Sequence, residues 1–348
     1  MSQLSGKISG GGFDELILPR MGVQRNTVKQ GPAFGVDVSV VDIGGGNGLA
    51  LTSDPLSLIP SLGMAESAWL SVQLMANDMA TTGYSPMYAQ MVLNLPQSLS
   101  QEDLIAYWEH IHQYCSAIGV SITGGHTGRI EGQNSTIAGG GTMLLTAPLD
   151  KILLSSSAQA GNVIIVTKEC ALSSAAILAM SFPETVINKL GKEVYNTSCD
   201  LFYQTSSLPD ALAAAATGKV TAMHDVTEGG VLGAVYEMAV ASGLGLRVNN
   251  QALPVGRAQE LVTSLFGIDQ RYCIGAGAMI IAVEPGAENE VIAALHASQI
   301  NAAVIGTFTA KERGCLLIDQ SGIEKPMDYY ETDPYWAAFF NAYKLGWK

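Results

Sequence analysis

The chain is short of positive charge, cysteine and long apolar runs, and each shortage removes a class of protein. Of its 348 residues, 18 are Lys or Arg against 31 Asp or Glu, a formal net charge of −13. Nucleic-acid backbones are gripped by Lys and Arg, so a broad nucleic-acid surface is excluded. A small anion pocket built from backbone N–H groups and a divalent cation stays open. The five cysteines are Cys115, Cys170, Cys199, Cys273 and Cys315; they are odd in number and include no C-x-x-C pair. They make neither a zinc spacing nor a disulfide framework, which points to a reducing, cytoplasmic setting. No stretch reaches the ~18 apolar residues of a membrane span, and no signal-peptide apolar region opens the sequence, so no membrane partner is expected.

The common nucleotide and hydrolase motifs are missing too. There is no G-x-x-x-x-G-K-[ST], no G-x-G-x-x-G after a strand, no G-x-S-x-G and no H-E-x-x-H. His110 and His112 stand two apart on a predicted helix and face different ways, a poor metal pair.

What is plentiful is glycine, 38 residues, with runs at Gly10–Gly12, Gly44–Gly46 and Gly139–Gly141. Such runs permit positive φ and close backbone approach, or simply make tight turns. The length suits one large domain or two ordinary ones at roughly 100–200 residues each, and 48% hydrophobic content supports a sizeable core.

The spacing of apolar residues predicts a mixed chain. Val36, Val38 and Val40 alternate like a strand, Asn47-Gly48 marks a hairpin turn, and Leu49 to Thr52 forms the return strand, ending at Ser53-Asp54-Pro55. Ala68, Val72, Met75 and Met79 follow helical spacing. Ser100 and Asp103 form a capping box before a second helix. Val120 to Thr123 is a short strand feeding a Gly124–Gly128 loop. Pro148 to Gly161 reads as a linker, after which strands and helices alternate without a sustained βαβ rhythm or a repeat. Trp336, Phe339, Phe340, Tyr343 and Trp347 share one helical stripe, which packs on its own domain or on a dimer partner.

The candidate chemistry lies in oxygen ligands set far apart. Asp37, Asp54, Asp78 and Asp225 are hard anionic donors of the kind Mg²⁺ takes together with substrate phosphates. Asn77 could donate to a phosphate oxygen. Thr227, Gly229 and Gly230 precede a predicted helix, where free N–H groups and a positive dipole end would suit a phosphate. Gly124, Gly125 and Thr127 offer a second backbone nest around His126. Each residue also has a plain structural reading. Asp54 before Pro55 suits a turn, Asn77 and Asp78 suit a solvated helix end, Asp225 suits an N-cap, and Lys7 and Arg20 suit the surface.

As a series these segments resemble a known family. Gly6-Lys7, Glu15–Gly22, Asp37–Val41, Thr52–Pro55, Ala76–Asp78, Gly124–Thr127, Gly161–Lys168 and His224–Gly230 look like the aminoimidazole-ribonucleotide-synthase-related (PurM-like) superfamily, in the branch of the HypE hydrogenase maturation factors. The resemblance implies an α+β, two-domain fold. An N-terminal sheet domain (1–152) would bind ATP and Mg²⁺ and form a dimeric barrel-like interface; a C-terminal α/β sandwich (153–322) and an aromatic tail helix (323–348) would follow. It implies a homodimer using ATP and Mg²⁺ to activate an oxygen of an unknown small-molecule or protein acceptor by phosphoryl transfer. Asp37, Asp54 and Asp78 would hold metal. Lys7, Asn77, Gly124, Gly125, Thr127, Thr227, Gly229 and Gly230 would hold nucleotide and Asp225 would serve catalysis, while His126, an imidazole in the Gly-rich segment, is expected on its own chemistry to face the acceptor as a general base.

The sequence also departs from that branch. HypE proteins end in a reactive cysteine, and no cysteine follows Cys315 here. Cys273–Gly277 stands where an Asn-Glu-Gly segment is expected, His126 replaces an Asp, and His224 replaces an Arg. A nucleotide-binding maturation or scaffold protein without turnover, and another small-molecule kinase or cyclo-ligase of the superfamily, therefore stand beside the main expectation. So does a plain oligomeric protein with a docking tail.

Overall fold

The structure is a computed structural model, describing residues 6–8 and 10–348. The helical turn α1 (Gly10–Gly12) precedes a six-stranded sheet. Its strands are β1 (Val28–Gln30), β2 (Ser39–Gly44), β3 (Asn47–Ser57), β4 (Tyr88–Pro96), β5 (Ser121–Ile130) and β6 (Ile137–Pro148), in the order β1-β2-β3-β6-β4-β5. All neighbours are antiparallel except β4 and β5. Helices α2 (Met64–Ala80) and α3 (Gln101–Ala117) join one face of the sheet in a common core that includes Leu56, Met75, Tyr107, Ile111 and Met143. Ser100 caps α3 as expected, accepting from the Asp103 amide. The other face keeps apolar side chains in the open at Ile43, Tyr88 and Val92.

Three expectations shift here. The hairpin turn is at Gly45-Gly46, two residues before Asn47-Gly48, because Gly44 pairs with Asn47. Both central residues have positive φ, 64° and 79°, which a two-residue primed turn demands and glycine supplies. Strand β3 does not stop at Ser53 but runs through Asp54-Pro55, whose missing N–H falls beside a register shift between Pro55 and Ser57. Residues Gly124–Gly128 are not a loop. They lie within β5, and a Cβ on Gly125 would sit 1.7 Å from the Met91 carbonyl oxygen, so glycine is there to let the edge strand lie close.

The second sheet has seven strands: β7 (Val163–Thr167), β8 (Val220–Asp225), β9 (Gly245–Asn249), β10 (Met279–Val283), β11 (Ala302–Thr309), β12 (Cys315–Ile318) and β13 (Glu324–Pro326), in the order β13-β12-β9-β11-β7-β10-β8. Its helices are α4 (Leu172–Ser181), α5 (Pro183–Leu190), α6 (Lys192–Asp200), α7 (Leu208–Ala215), α8 (Gly230–Ala241), α9 (Arg257–Phe266), α10 (Glu288–Ala297) and α11 (Pro334–Lys344). Residues of α4, α8, α9 and α11 share one core with Ile164 and Val166. Residues of α7 and α10 share another with Ile165 and Ile281. A strand covered on both faces needs apolar residues at successive positions, which explains the runs Val163–Val166 and Met279–Val283.

The aromatic tail packs on its own domain. Phe339 meets Phe182, and Trp347 meets Phe182 and Phe266 at ring distances of 5.3, 6.4 and 5.0 Å. The stretch between 148 and 161 is ordered too: Ser155 is buried in a 3₁₀ turn and donates to Asp37 at 2.7 Å.

Candidate active site

The site is built where the ends of several elements meet. Gly35, at φ +72°, lets the loop before β2 lie against α8; a Cβ there would stand 2.4 Å from the Glu237 carbonyl oxygen. That close approach brings Asp37 to His224 at the end of β8. The Asp37 carboxylate takes His224 Nδ1 at 2.8 Å and Ser155 Oγ at 2.7 Å. On its other side, His224 Nε2 lies 3.3 Å from Glu237 Oε2, and Tyr329 donates to Glu237 Oε1 at 3.2 Å. His224 is buried between two carboxylates. Burial alone would lower its pKa, but Asp37 and Glu237 outweigh burial and raise it well above the usual histidine value. Glu237 is held below the ordinary range against its own desolvation, chiefly by the His224 hydrogen bond and by Lys7.

Four predicted acids converge. Among the described residues, one ligand atom each of Asp37, His224 and Asp225 lie within 4.8 Å of one another. Asp78 on α2 accepts from Thr52 on β3 at 2.8 Å. Desolvation, then the charges of Asp225, Asp54 and Asp37, lift its pKa well above the carboxylate range. Asp54 is pushed up to about 6 and Asp225 to about 7, in both cases by burial first. Asp225 Oδ2 is buried with no hydrogen-bond partner. Crowded, desolvated carboxylates with an orphaned oxygen fit a hard divalent cation, which would replace the missing protons and partners. Both His224 nitrogens already face carboxylates, so His224 orients Asp37 from behind and is not itself a ligand.

Lys7 completes the cluster from the other end of the chain. Its ammonium donates to Thr227 Oγ1 at 3.0 Å, and its backbone N–H donates to Glu228 Oε2 at 2.9 Å. Desolvation opposes its charge, but Glu237, Asp225, Asp37 and Glu228 prevail and raise its pKa.

Other predicted residues are placed differently. Asn77 is fully buried and does not face the acids: it donates to the Thr205 carbonyl at 2.9 Å and accepts from the Ser207 amide at 2.7 Å. It clamps α2 to the segment before α7. Gly229 and Gly230 do open α8, yet their amides are already used. Gly229 N–H donates to Asp333 at 2.7 Å and Gly230 N–H to the Thr227 carbonyl at 3.2 Å. The protein's own carboxylate thus sits where an anion was expected, and burial pushes the Asp333 pKa up to about 7. Gly124, Gly125, His126 and Thr127 lie exposed on edge strand β5.

Sequence reasoning missed Ser155, Glu237, Tyr329 and Asp333. Only Glu237 left a trace, as an acid 12 residues after Asp225 on an otherwise apolar helix.

Residues 35–144 match the AIR synthase related protein N-terminal domain, and residues 159–319 match the C-terminal domain of the same family. The chain belongs to the AIR synthase related family. Carbamoyl dehydratase HypE of Escherichia coli K12 is 29% identical over 268 residues, covering 74% of this chain and 75% of that one. The crystal structure of E. coli HypE, a hydrogenase maturation protein, superposes with a TM-score of 0.71 at 25% identity, over 82% of this chain and 87% of that one. A hydrogenase maturation protein HypE solved in complex with ATP shares the fold at a TM-score of 0.66 and 18% identity, over 95% of this chain and 97% of that one. Two such domains, each with its own sheet, make the PurM-like α+β architecture. Among the described residues, no helix is long and apolar enough to cross a membrane.

Proposed function

We propose that this protein is a HypE-like, ATP- and Mg²⁺-dependent enzyme that transfers a phosphoryl group to an oxygen of an acceptor, in the maturation of a metalloenzyme. The observation that carries this reading is the convergence of Asp37, Asp54, Asp78 and Asp225, with Asp225 Oδ2 left unpartnered in the interior. Asp37, Asp54 and Asp78 would hold Mg²⁺, which supplies charge neutralisation to polyphosphate when bound. Phosphoryl transfer asks little covalent chemistry of a protein and mostly needs positioning and charge control.

The chain's own residues have defined tasks in this reading. His224, fixed by Glu237 and Tyr329, holds Asp37 in one orientation. Lys7 brings a fixed cation to the edge of the cluster, held by Thr227. Asp225, with its Oδ2 free of any hydrogen-bond partner, is placed to take the acceptor's proton. Exposed Ile43, Tyr88 and Val92 on the open sheet face support a homodimer through that face. His126, Gly124, Gly125 and Thr127 lie on the edge strand of the same sheet, so a nucleotide or catalytic role for them goes with such a dimer.

Calorimetric titration with ATP, with and without Mg²⁺, tests the proposal. Binding should require Mg²⁺ and vanish in Asp54→Asn. Equal binding by wild type and variant would sink the metal assignment, and no binding by either would leave only a shared fold.

A further inference from the structure

Beside the acid cluster lies a cleft of about 430 Å³, within the usual range of small-ligand pockets at roughly 300–1,000 Å³. Its inner end is formed by Asp37 and His224, its outer wall by Tyr329, Tyr330 and Glu331. The outer wall lies beyond residue 319, where the match to the C-terminal domain of the family ends, and Lys7, Phe13 and Phe34 stand on the opposite side.

The outer wall is pre-formed. Tyr329 stacks on Tyr236 at 4.6 Å with an interplanar angle of 20°, meets the edge of Phe34, and donates to Glu237. Tyr330 packs edge-on against Tyr272 at 4.8 Å yet stays 49% exposed, leaving ring surface free. Asp333 ties the segment down through the amides of Gly229 and Tyr335, and Trp336 donates to Glu228 at 3.1 Å.

The charge around the cleft is one-sided. Five carboxylates line it against one ammonium and one imidazole. His224 is taken up between Asp37 and Glu237, and the Lys7 ammonium, held by Thr227 among four carboxylates, is the one cation that faces the cleft among the described residues. An anionic ligand would meet uncompensated negative charge at the rim, where Glu331 is exposed. A flat cation would find a carboxylate and aromatic surface together, the pairing that recognises delocalised positive charge.

We infer that this cleft binds the planar, cationic end of a small acceptor, an amidine, guanidine or protonated heteroaromatic ring, lodged against Tyr330 and Glu331 with the rest of the molecule reaching toward Asp37. The inference rests on the proposed function for the word acceptor, but the binding claim stands on the cleft alone.

The test is a calorimetric or fluorescence titration of the full chain, without nucleotide, with three isosteric probes: benzamidine, neutral benzamide and anionic benzoate. Benzamidine should bind about tenfold more tightly than benzamide, with benzoate weakest. Glu331→Gln, at an exposed side chain, should weaken benzamidine severalfold without moving the melting temperature, and Tyr330→Ala should do so with only the small drop expected from losing its edge contact to Tyr272. Benzoate binding as well as benzamidine, undetectable benzamidine binding, or two variants that change nothing would overturn the inference. Asp54→Asn separates the two ideas. That variant should lose Mg²⁺·ATP and keep benzamidine selectivity; benzamidine selectivity in a wild-type protein that binds no Mg²⁺·ATP overturns the proposed function and supports the cleft. Mg²⁺-dependent ATP binding without benzamidine selectivity does the reverse.

Discussion

Replacing Asn77 by Ala distinguishes a phosphate ligand from an internal clamp. Asn77 is fully buried, and both ends of its amide are used, by Thr205 O at 2.9 Å and Ser207 N–H at 2.7 Å. Truncation strands one backbone acceptor and one backbone donor away from water, at about 1–3 kcal/mol each. The expected loss is therefore about 2–6 kcal/mol, or roughly 5–20 °C in melting temperature for a domain of this size. Asn77→Asp should be comparably harmful, because it turns an acceptor oxygen toward the Thr205 carbonyl. The assay is urea denaturation followed by tryptophan fluorescence, since Trp69 donates to the Thr205 hydroxyl beside the clamp and reports on it directly. Mg²⁺·ATP affinity should fall only as far as folding does. A stability loss below about 1 kcal/mol, combined with abolished nucleotide binding, would refute the clamp and return Asn77 to the phosphates.

Three further outcomes follow from the same geometry. Gly35→Ala forces a Cβ against the Glu237 carbonyl at a positive φ, so a loss of several kcal/mol in denaturant unfolding is expected, with weakened Mg²⁺·ATP binding; unchanged stability would contradict the packing of that loop on α8. Trp347→Ala removes ring contacts to Phe182 and Phe266 and should cost about 1–3 kcal/mol, read as a drop in unfolding midpoint; a neutral result would mean the tail is not anchored there. The folded pKa values of Asp54, Asp225 and Asp333, about 6, 7 and 7, lie above their ordinary 3.8, so the folded state keeps protons the unfolded chain has released. Their contribution to stability is lost as pH rises from about 4 through 7, and the raised pKa of His224 acts in the same direction above 6.5. The melting temperature without metal should fall between pH 5.5 and 7.5, Asp333→Asn should flatten that fall, and Mg²⁺ should stabilise more at pH 7.5 than at 5.5.

The acids of the site were legible because a carboxylate beside a turn or helix end is a local pattern. Asp37, Asp54, Asp78 and Asp225 could be picked out singly, and the resemblance supplied the reason to group them. The two-sheet α+β fold was legible for a similar reason: doubly covered strands such as Val163–Val166 announce themselves as unbroken apolar runs. Context that depends on distant partners was not legible. Nothing within Asn77-Asp78 tells which side chain faces the acids and which faces Thr205. A glycine-rich stretch reads as a loop until a neighbouring strand is known to press on it, as Met91 presses on Gly125. Glu237, Tyr329 and Asp333 act through partners 13 to 104 residues away, a separation that no local pattern records.

Lys7 and Trp336 converge on the two oxygens of one carboxylate, Glu228. During synthesis Asp37, Asp54 and Asp78 leave the ribosome before Asp225, and Tyr329 to Trp336 follow later still. Domains fold as units while the chain emerges, so the carboxylate cluster can assemble well before its outer wall exists. A nascent chain stalled before residue 329 would carry Asp37 and His224 and none of the Tyr329–Glu331 wall. Bulky insertions close to either Lys7 or Trp336 would press on the same carboxylate, so changes far apart in the sequence should disturb one shared place in the molecule.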